Sequence, residues 1–100
     1  SIQPKDKETN IYRTEEELVT LSCTYDTGSN YVYLYWYRQY PNREPDFILW
    51  KGARSQSIYS YTPDRRFQSI TSQTSTELSI TSVTLSDSAL YYCALRVAAQ

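Results

Sequence analysis

The sequence predicts an all-β fold, and three observations carry that prediction. Apolar and polar residues alternate with period two in Val19-Thr-Leu-Ser-Cys23, and a second strand-like run follows in Tyr31-Val-Tyr-Leu-Tyr-Trp-Tyr-Arg-Gln39. That period is the mark of a strand with one buried face. Clusters of turn formers, Thr27-Gly-Ser-Asn30 and Tyr40-Pro-Asn-Arg-Glu-Pro45, separate such runs. Eleven of the 100 residues are tyrosine. Tyrosine is enriched in strands, and its rigid ring with a polar tip also suits recognition surfaces.

Taken in order, the residues assign the elements as follows. Ser1 to Lys7 reads as an edge strand, because Pro4 cannot donate to an inner ladder, and Asn10 to Thr14 are expected to continue it on the other sheet. Glu15-Glu16-Glu17 reads as a solvated turn; three adjacent carboxylates point different ways and do not converge on a metal. Val19, Leu21 and Cys23 face inward, with Thr20 and Ser22 outward. On the next strand, parity puts Leu34 and Trp36 on one face and Tyr35, Tyr37 and Gln39 on the other. Two tyrosines side by side on an outer face are either wet hydroxyls or a face covered by a partner.

Phe47 to Trp50 forms the next strand, and Lys51 to Ser55 the next loop, with Gly52 free to take positive φ. Ser57 to Tyr61 reads as a short strand and Thr62 to Phe67 as a turn. Ile70 breaks parity with Phe67, which predicts a bulge there. Leu78 and Ile80 alternate inward, Val83 follows at the turn, and Leu85 to Ala89 form another turn. In the last run Tyr91 and Cys93 face in and Tyr92 faces out, beside Tyr37 and Gln39.

Composition excludes several function classes. A chain of this length is one domain with one core of modest stability. The net charge of −1 leaves no electrostatic footprint for nucleic acid or an anionic membrane. There is no histidine, hence no Ser–His–Asp or Cys–His arrangement. The two cysteines fit an oxidised compartment better than a zinc site, which takes about four ligands. Gly28 and Gly52 are too far apart for a phosphate loop. Asp64 with Asp87, or Glu15 with Glu17, have no reason to face each other across a cleft. Asn10, Asn30 and Asn42 all lack the third position of a glycosylation acceptor. No signal peptide and no apolar run of about 20 residues is present, so the chain is expected to be a processed or recombinant ectodomain; the residues above also lead us to expect no enzymatic activity, cofactor or metal.

Cys23, Trp36 and Asp87-Ser-Ala-Leu-Tyr-Tyr-Cys93 together resemble the V-type immunoglobulin domains of antigen receptors, over the whole chain 1–100. Trp36-Tyr37-Arg38-Gln39 is most similar to the T-cell receptor α or δ version; antibody light chains more often carry glutamine where Arg38 stands. The resemblance implies a β-sandwich of two antiparallel sheets in Greek-key order. It implies an inter-sheet disulfide between Cys23 and Cys93, packed under Trp36, closing a loop of about 70 residues worth roughly 4 kcal/mol in the chain-entropy model. Val19, Leu21, Leu34, Trp36, Leu78, Ile80 and Tyr91 are then core, with Tyr91 as the tyrosine corner. Arg66 would bridge to Asp87, and Arg38 would need a carboxylate at the same end.

The same resemblance makes Tyr35, Tyr37, Gln39, Pro45, Phe47 and Tyr92 the face that meets a second V domain, a β-type chain, with self-pairing of the isolated domain also expected. Gln39 would there hydrogen-bond its counterpart. Hypervariable loops are expected at Thr27–Tyr33, Lys51–Ser55 and Ala94–Gln100. Their candidate positions are Thr27, Gly28, Ser29, Asn30, Tyr31, Tyr33, Lys51, Gly52, Arg54, Leu95 and Arg96, with Tyr31, Tyr33, Arg54 and Arg96 as contacts because aromatics and arginine dominate hot spots. Two departures stand out: the family's glycine near Glu16 is absent, and its Phe-Gly-x-Gly strand G does not occur before Gln100. The implied function is recognition of a peptide–MHC-like ligand at the extracellular face of the T-cell plasma membrane, with no nucleic acid and no direct membrane contact. The alternative is a non-rearranging V-type immune receptor or adhesion domain, which shares this core.

Overall fold

Each alternating run becomes a strand that turns its apolar set toward an opposing sheet. The computed structural model describes residues 2–4 and 17–98. Strands β1 (Ile2–Pro4), β2 (Glu17–Tyr25), β7 (Ser75–Val83) and β6 (Phe67–Thr71) form one antiparallel sheet in the order β1-β2-β7-β6. Strands β5 (Ser60–Tyr61), β4 (Asp46–Arg54), β3 (Tyr31–Gln39) and β8 (Leu90–Val97) form the other, in the order β5-β4-β3-β8. A single 3₁₀ turn, Leu85–Asp87, leads from β7 into β8. This is the two-sheet sandwich expected from the sequence, and Cys23 of β2 is bonded to Cys93 of β8 across it, with their Cα atoms 6.7 Å apart.

The core lies between the sheets. Leu34, Trp36, Leu78, Ile80 and Tyr91 are wholly buried, Val19 nearly so, and Leu21 packs half-buried at the margin. Trp36 pairs in register with Cys93, so the indole lies beside the bridge. Its Nε1 donates to Thr76 Oγ1 at 3.5 Å, which gives the buried indole N–H a partner. Parity on β2 continues one step past Cys23 to Tyr25, which is also buried.

A bulge in β4 decides what the outer face of the second sheet carries. Trp36 pairs with Leu49 but Tyr37 pairs with Phe47, so Ile48 is an extra residue. Ile48 and Leu49 are both buried. Strict alternation from Leu49 would turn Phe47 inward; the extra residue turns it outward, opposite Tyr37.

Several local expectations are corrected. Ile70 marks no bulge: β6 pairs with β7 in unbroken register, and Ile70 points into solvent on the outer face. Lys51, Gly52 and Arg54 belong to β4, and the loop that follows is 55–59. Gly52 does not have positive φ; a Cβ there would lie 1.9 Å from the Gln56 carbonyl oxygen, so its role is close approach. The expected strand 57–61 shrinks to Ser60–Tyr61. Leu95 and Arg96 lie within β8, paired with Leu34 and Tyr33. The readings of Asn10–Thr14, of Glu15 and Glu16, and of the last two residues fall outside the described residues, while Glu17 opens β2.

Candidate functional site

Three features of the sandwich gather the residues singled out by sequence: the outer face of the second sheet, its loop end, and the opposite, basal end. On the outer face, adjacent strands line up aromatic rings. Tyr35 stacks on Tyr37 with centroids 6.4 Å apart, and Phe47 meets both edge-on at 6.3 and 6.1 Å. Phe47 also stacks on Tyr61 at 6.0 Å, and Trp50 closes on Tyr35 at 6.3 Å. Phe47 is 40% exposed, Tyr92 39% and Tyr61 56%. These rings form an aromatic patch that is open to water.

Gln39 stands at the edge of this patch with its amide oriented by the chain itself. Its Oε1 accepts from Tyr92 OH at 2.7 Å, and its Nε2 donates to the Arg43 carbonyl at 2.9 Å. One lone pair and one N–H remain for a further partner. Tyr37, Gln39, Pro45 and Tyr92 together line a shallow depression of about 310 Å³. Trp50 and Tyr61 were missed by sequence reading; Trp50 shares parity with Phe47 only through the bulge, which no local pattern announces.

At the loop end, Tyr33 is held from three sides. Its ring meets Trp50 edge-on at 5.5 Å, the Arg96 guanidinium lies 5.9 Å from its centroid, and its hydroxyl donates to Gln56 Oε1 at 2.9 Å. Arg96 also donates to the Tyr35 hydroxyl at 3.3 Å. Tyr31 is more open, at 38% exposure. Arg54 turns away from the tip: its guanidinium donates to the carbonyls of Thr27, Ser29 and Gln73 and lies over the Tyr25 ring at 5.2 Å. The side chains that project from the 55–59 loop are Ile58 and Tyr59, 82% and 51% exposed. They fell within the expected strand 57–61 and so escaped the list of loop residues.

At the basal end, Asp87 is buried beneath two arginines. Arg66 Nη2 donates to Oδ2 at 2.5 Å and Arg38 Nη1 to Oδ1 at 3.4 Å. The Thr84 backbone N–H donates to Oδ2 at 3.0 Å. Burial alone would push the carboxyl up, but the Arg66 hydrogen bond, the Thr84 N–H and the two positive charges outweigh it and hold Asp87 below its ordinary value. The hydrogen bond to Asp87 likewise raises Arg66. Tyr91 donates to the Asp87 backbone carbonyl at 2.7 Å, and burial pushes its phenol up to about 12. The Arg38 guanidinium lies 5.0 Å from the Tyr40 centroid and 5.7 Å from that of Phe67. All of this is structural chemistry that closes the sandwich, with Arg38 Nε buried and left without a hydrogen-bond partner among the described residues.

An inter-sheet disulfide beside a buried tryptophan, a tyrosine bonded back to the turn before it, and a carboxylate locked by strand-opening arginine agree with what a family comparison finds. The family described as immunoglobulin V-set domain matches residues 7–100. The chain belongs to the immunoglobulin V-set family. This V-set domain is 46% identical to human T cell receptor alpha variable 18 over 84 residues, 82% of this chain and 70% of that protein. It is 42% identical to human T cell receptor alpha variable 3 over 96 residues, 94% and 78% of the two chains. It is also 34% identical to human T cell receptor beta variable 13, over 85% of this chain and 67% of that protein. These relatives support reading the V-set domain as an antigen-receptor V domain. Among the described residues no cluster of three or more His, Cys, Asp or Glu could hold a metal, and no helix is long and apolar enough to cross a membrane.

Proposed function

We propose that this chain is the variable domain of a T-cell receptor chain of the α or δ type. It pairs with a second, β-type V domain through the outer face of β5-β4-β3-β8. The loops at one end of the resulting pair then recognise a peptide–MHC-like ligand outside the cell, at the T-cell surface. The observation that carries this reading is the aromatic patch of Tyr35, Tyr37, Phe47, Tyr61 and Tyr92. Rings in mutual contact and open to water stabilise a molecule little until a partner covers them. The rim fits as well: Gln39 keeps one donor and one acceptor free, and pairing interfaces combine an apolar centre with a polar rim.

Co-expression of the full-length chain with β-type receptor chains tests the proposal. A one-to-one complex is expected, and Phe47→Ala should lower its formation about tenfold while leaving the chain folded. Failure to associate with any β-type chain, or undiminished association of Phe47→Ala, would overturn it.

A further inference from the structure

Two loops at the recognition end lie far apart in sequence, one crossing between the sheets and the other joining neighbouring strands of the first sheet. The first, 26–30, joins β2 to β3, and the second, 72–74, joins β6 to β7. Loop carbonyls have no ladder partner and still need donors when water is kept from them. In the first loop, the Thr27 and Ser29 carbonyls both accept from Arg54 Nη1 at 2.6 Å, and the Asn30 carbonyl accepts from Ser55 Oγ at 2.6 Å and Ser55 N at 3.2 Å. In the second, the Ser72 carbonyl accepts from Tyr25 OH at 2.6 Å and the Thr74 carbonyl from Tyr25 N at 2.9 Å. Between these two, the Gln73 carbonyl accepts from Arg54 Nε at 3.0 Å and Nη2 at 2.6 Å. Among these described hydrogen bonds, Arg54 is the residue that reaches both loops.

We propose that Arg54 is a positioning residue: it clamps the first loop and the 72–74 turn into one unit and so sets the backbone shape of the recognition end. Four of the five guanidinium N–H groups are used, in a planar fork that spans carbonyls of two loops. Lysine, with a compact ammonium, cannot span them. The Tyr25 ring forms the floor, 5.2 Å below the guanidinium. Arg54 also holds a backbone conformation that arginine seldom takes, φ 57°, at the last position of β4, opposite Tyr31. A residue kept there against that preference is held by its surroundings, and these include the four side-chain hydrogen bonds and the turn bond from Ser57 N to the Arg54 carbonyl at 3.3 Å. Every bond goes to a backbone carbonyl, so side chains at 27–30 can vary without releasing the clamp. It also moves Arg54 from the ligand contacts expected of it to a role one layer behind them.

The use of this shape in recognition rests on the function proposed above, but the clamp itself is measurable without ligand. Hydrogen exchange on the full-length chain carrying Arg54→Lys reads it. The Tyr31 amide reports the first loop and the Tyr25 amide the 72–74 turn. Both should exchange at least tenfold faster than in the unmodified chain, with Trp36 and Leu78 amides unchanged. Acceleration in neither or only one segment, or equal acceleration at Trp36 and Leu78, overturns the proposal. Should Arg54→Lys fail to fold, the unmodified chain supplies a second reading: nitrogen-resolved spectra should show slowly exchanging Arg54 Nε–H and separately resolved Nη–H signals. A single averaged Nη signal would overturn it. Unchanged exchange with lost ligand binding, or the reverse, separates failure of the clamp from failure of the proposed function.

Discussion

Both ends of the sandwich are closed by arginine, and they are closed in opposite ways. At the base, one buried carboxylate, Asp87, takes two partly exposed arginines, so the closure is an ion pair with its negative partner inside. At the loop end, one arginine, Arg54, takes three backbone carbonyls, so the closure is a set of charge-assisted hydrogen bonds to groups that never titrate. The first is sensitive to pH and is costliest to break from the arginine side, because that leaves the buried Asp87 carboxylate underpaired. The second depends on the path of the backbone and not on loop side chains. The first ties the base to one side chain, Asp87; the second leaves the loop side chains out of the closure.

The largest expected effect removes what joins the sheets between the two ends. Replacing Cys23 and Cys93 by alanine should cost roughly 4 kcal/mol from loop-closure entropy, loosening both ends alike. Chemical denaturation reads it, and an unchanged midpoint would contradict the account. Next is Asp87→Ala, which should destabilise by less than the about 3–5 kcal/mol of a fully buried pair, because water reaches both Arg66 and Arg38 once they lose the carboxylate. Exchange at the first loop should hold steady in that variant until global unfolding; parallel loss at both ends would erase the distinction drawn here.

The pH dependence sharpens the same contrast. Asp87 has a lowered folded value, so its contribution is present above its unfolded value near 4 and is lost as pH falls through the lower folded value. Tyr91 has a raised folded value of about 12, so its contribution is present below its unfolded value near 10 and is lost as pH rises through about 12. A shift of that size corresponds to about 2–3 kcal/mol. Melting temperatures should therefore fall at both extremes, and Asp87→Asn should flatten the acid limb; an acid limb identical to wild type would remove Asp87 as its source. The smallest effect concerns the outer face. The isolated chain should self-associate at tens of micromolar, and Tyr37→Ala or Phe47→Ala should weaken this by about 1–2 kcal/mol. Gln39→Ala should matter less, since Tyr92 and Arg43 already hold its amide. Sedimentation equilibrium decides it: a strictly monomeric wild type would rule out self-pairing through this face.

What the sequence by itself determined is whatever a period of two records. Val19, Cys23, Leu34 and Trp36 on the inner side, and Tyr35, Tyr37 and Tyr92 on the outer, follow from alternation, because neighbouring side chains in a strand must point to opposite faces. Alternation also explains where reading by residue went astray. Ile70 obeys parity as an exposed residue, and apolar character alone suggested a bulge that does not exist. The bulge that does exist, at Ile48, hides inside the apolar run Phe47-Ile-Leu-Trp50, where every residue looks fit for burial. Gly52 and Arg54 depended on tertiary structure altogether. The first is required by a carbonyl that the following turn brings within 1.9 Å of where a Cβ would stand, the second by carbonyls at Thr27, Ser29 and Gln73. No local pattern encodes the path of a distant loop, and a long side chain finds its partners only once both sheets have fixed where that loop's backbone runs.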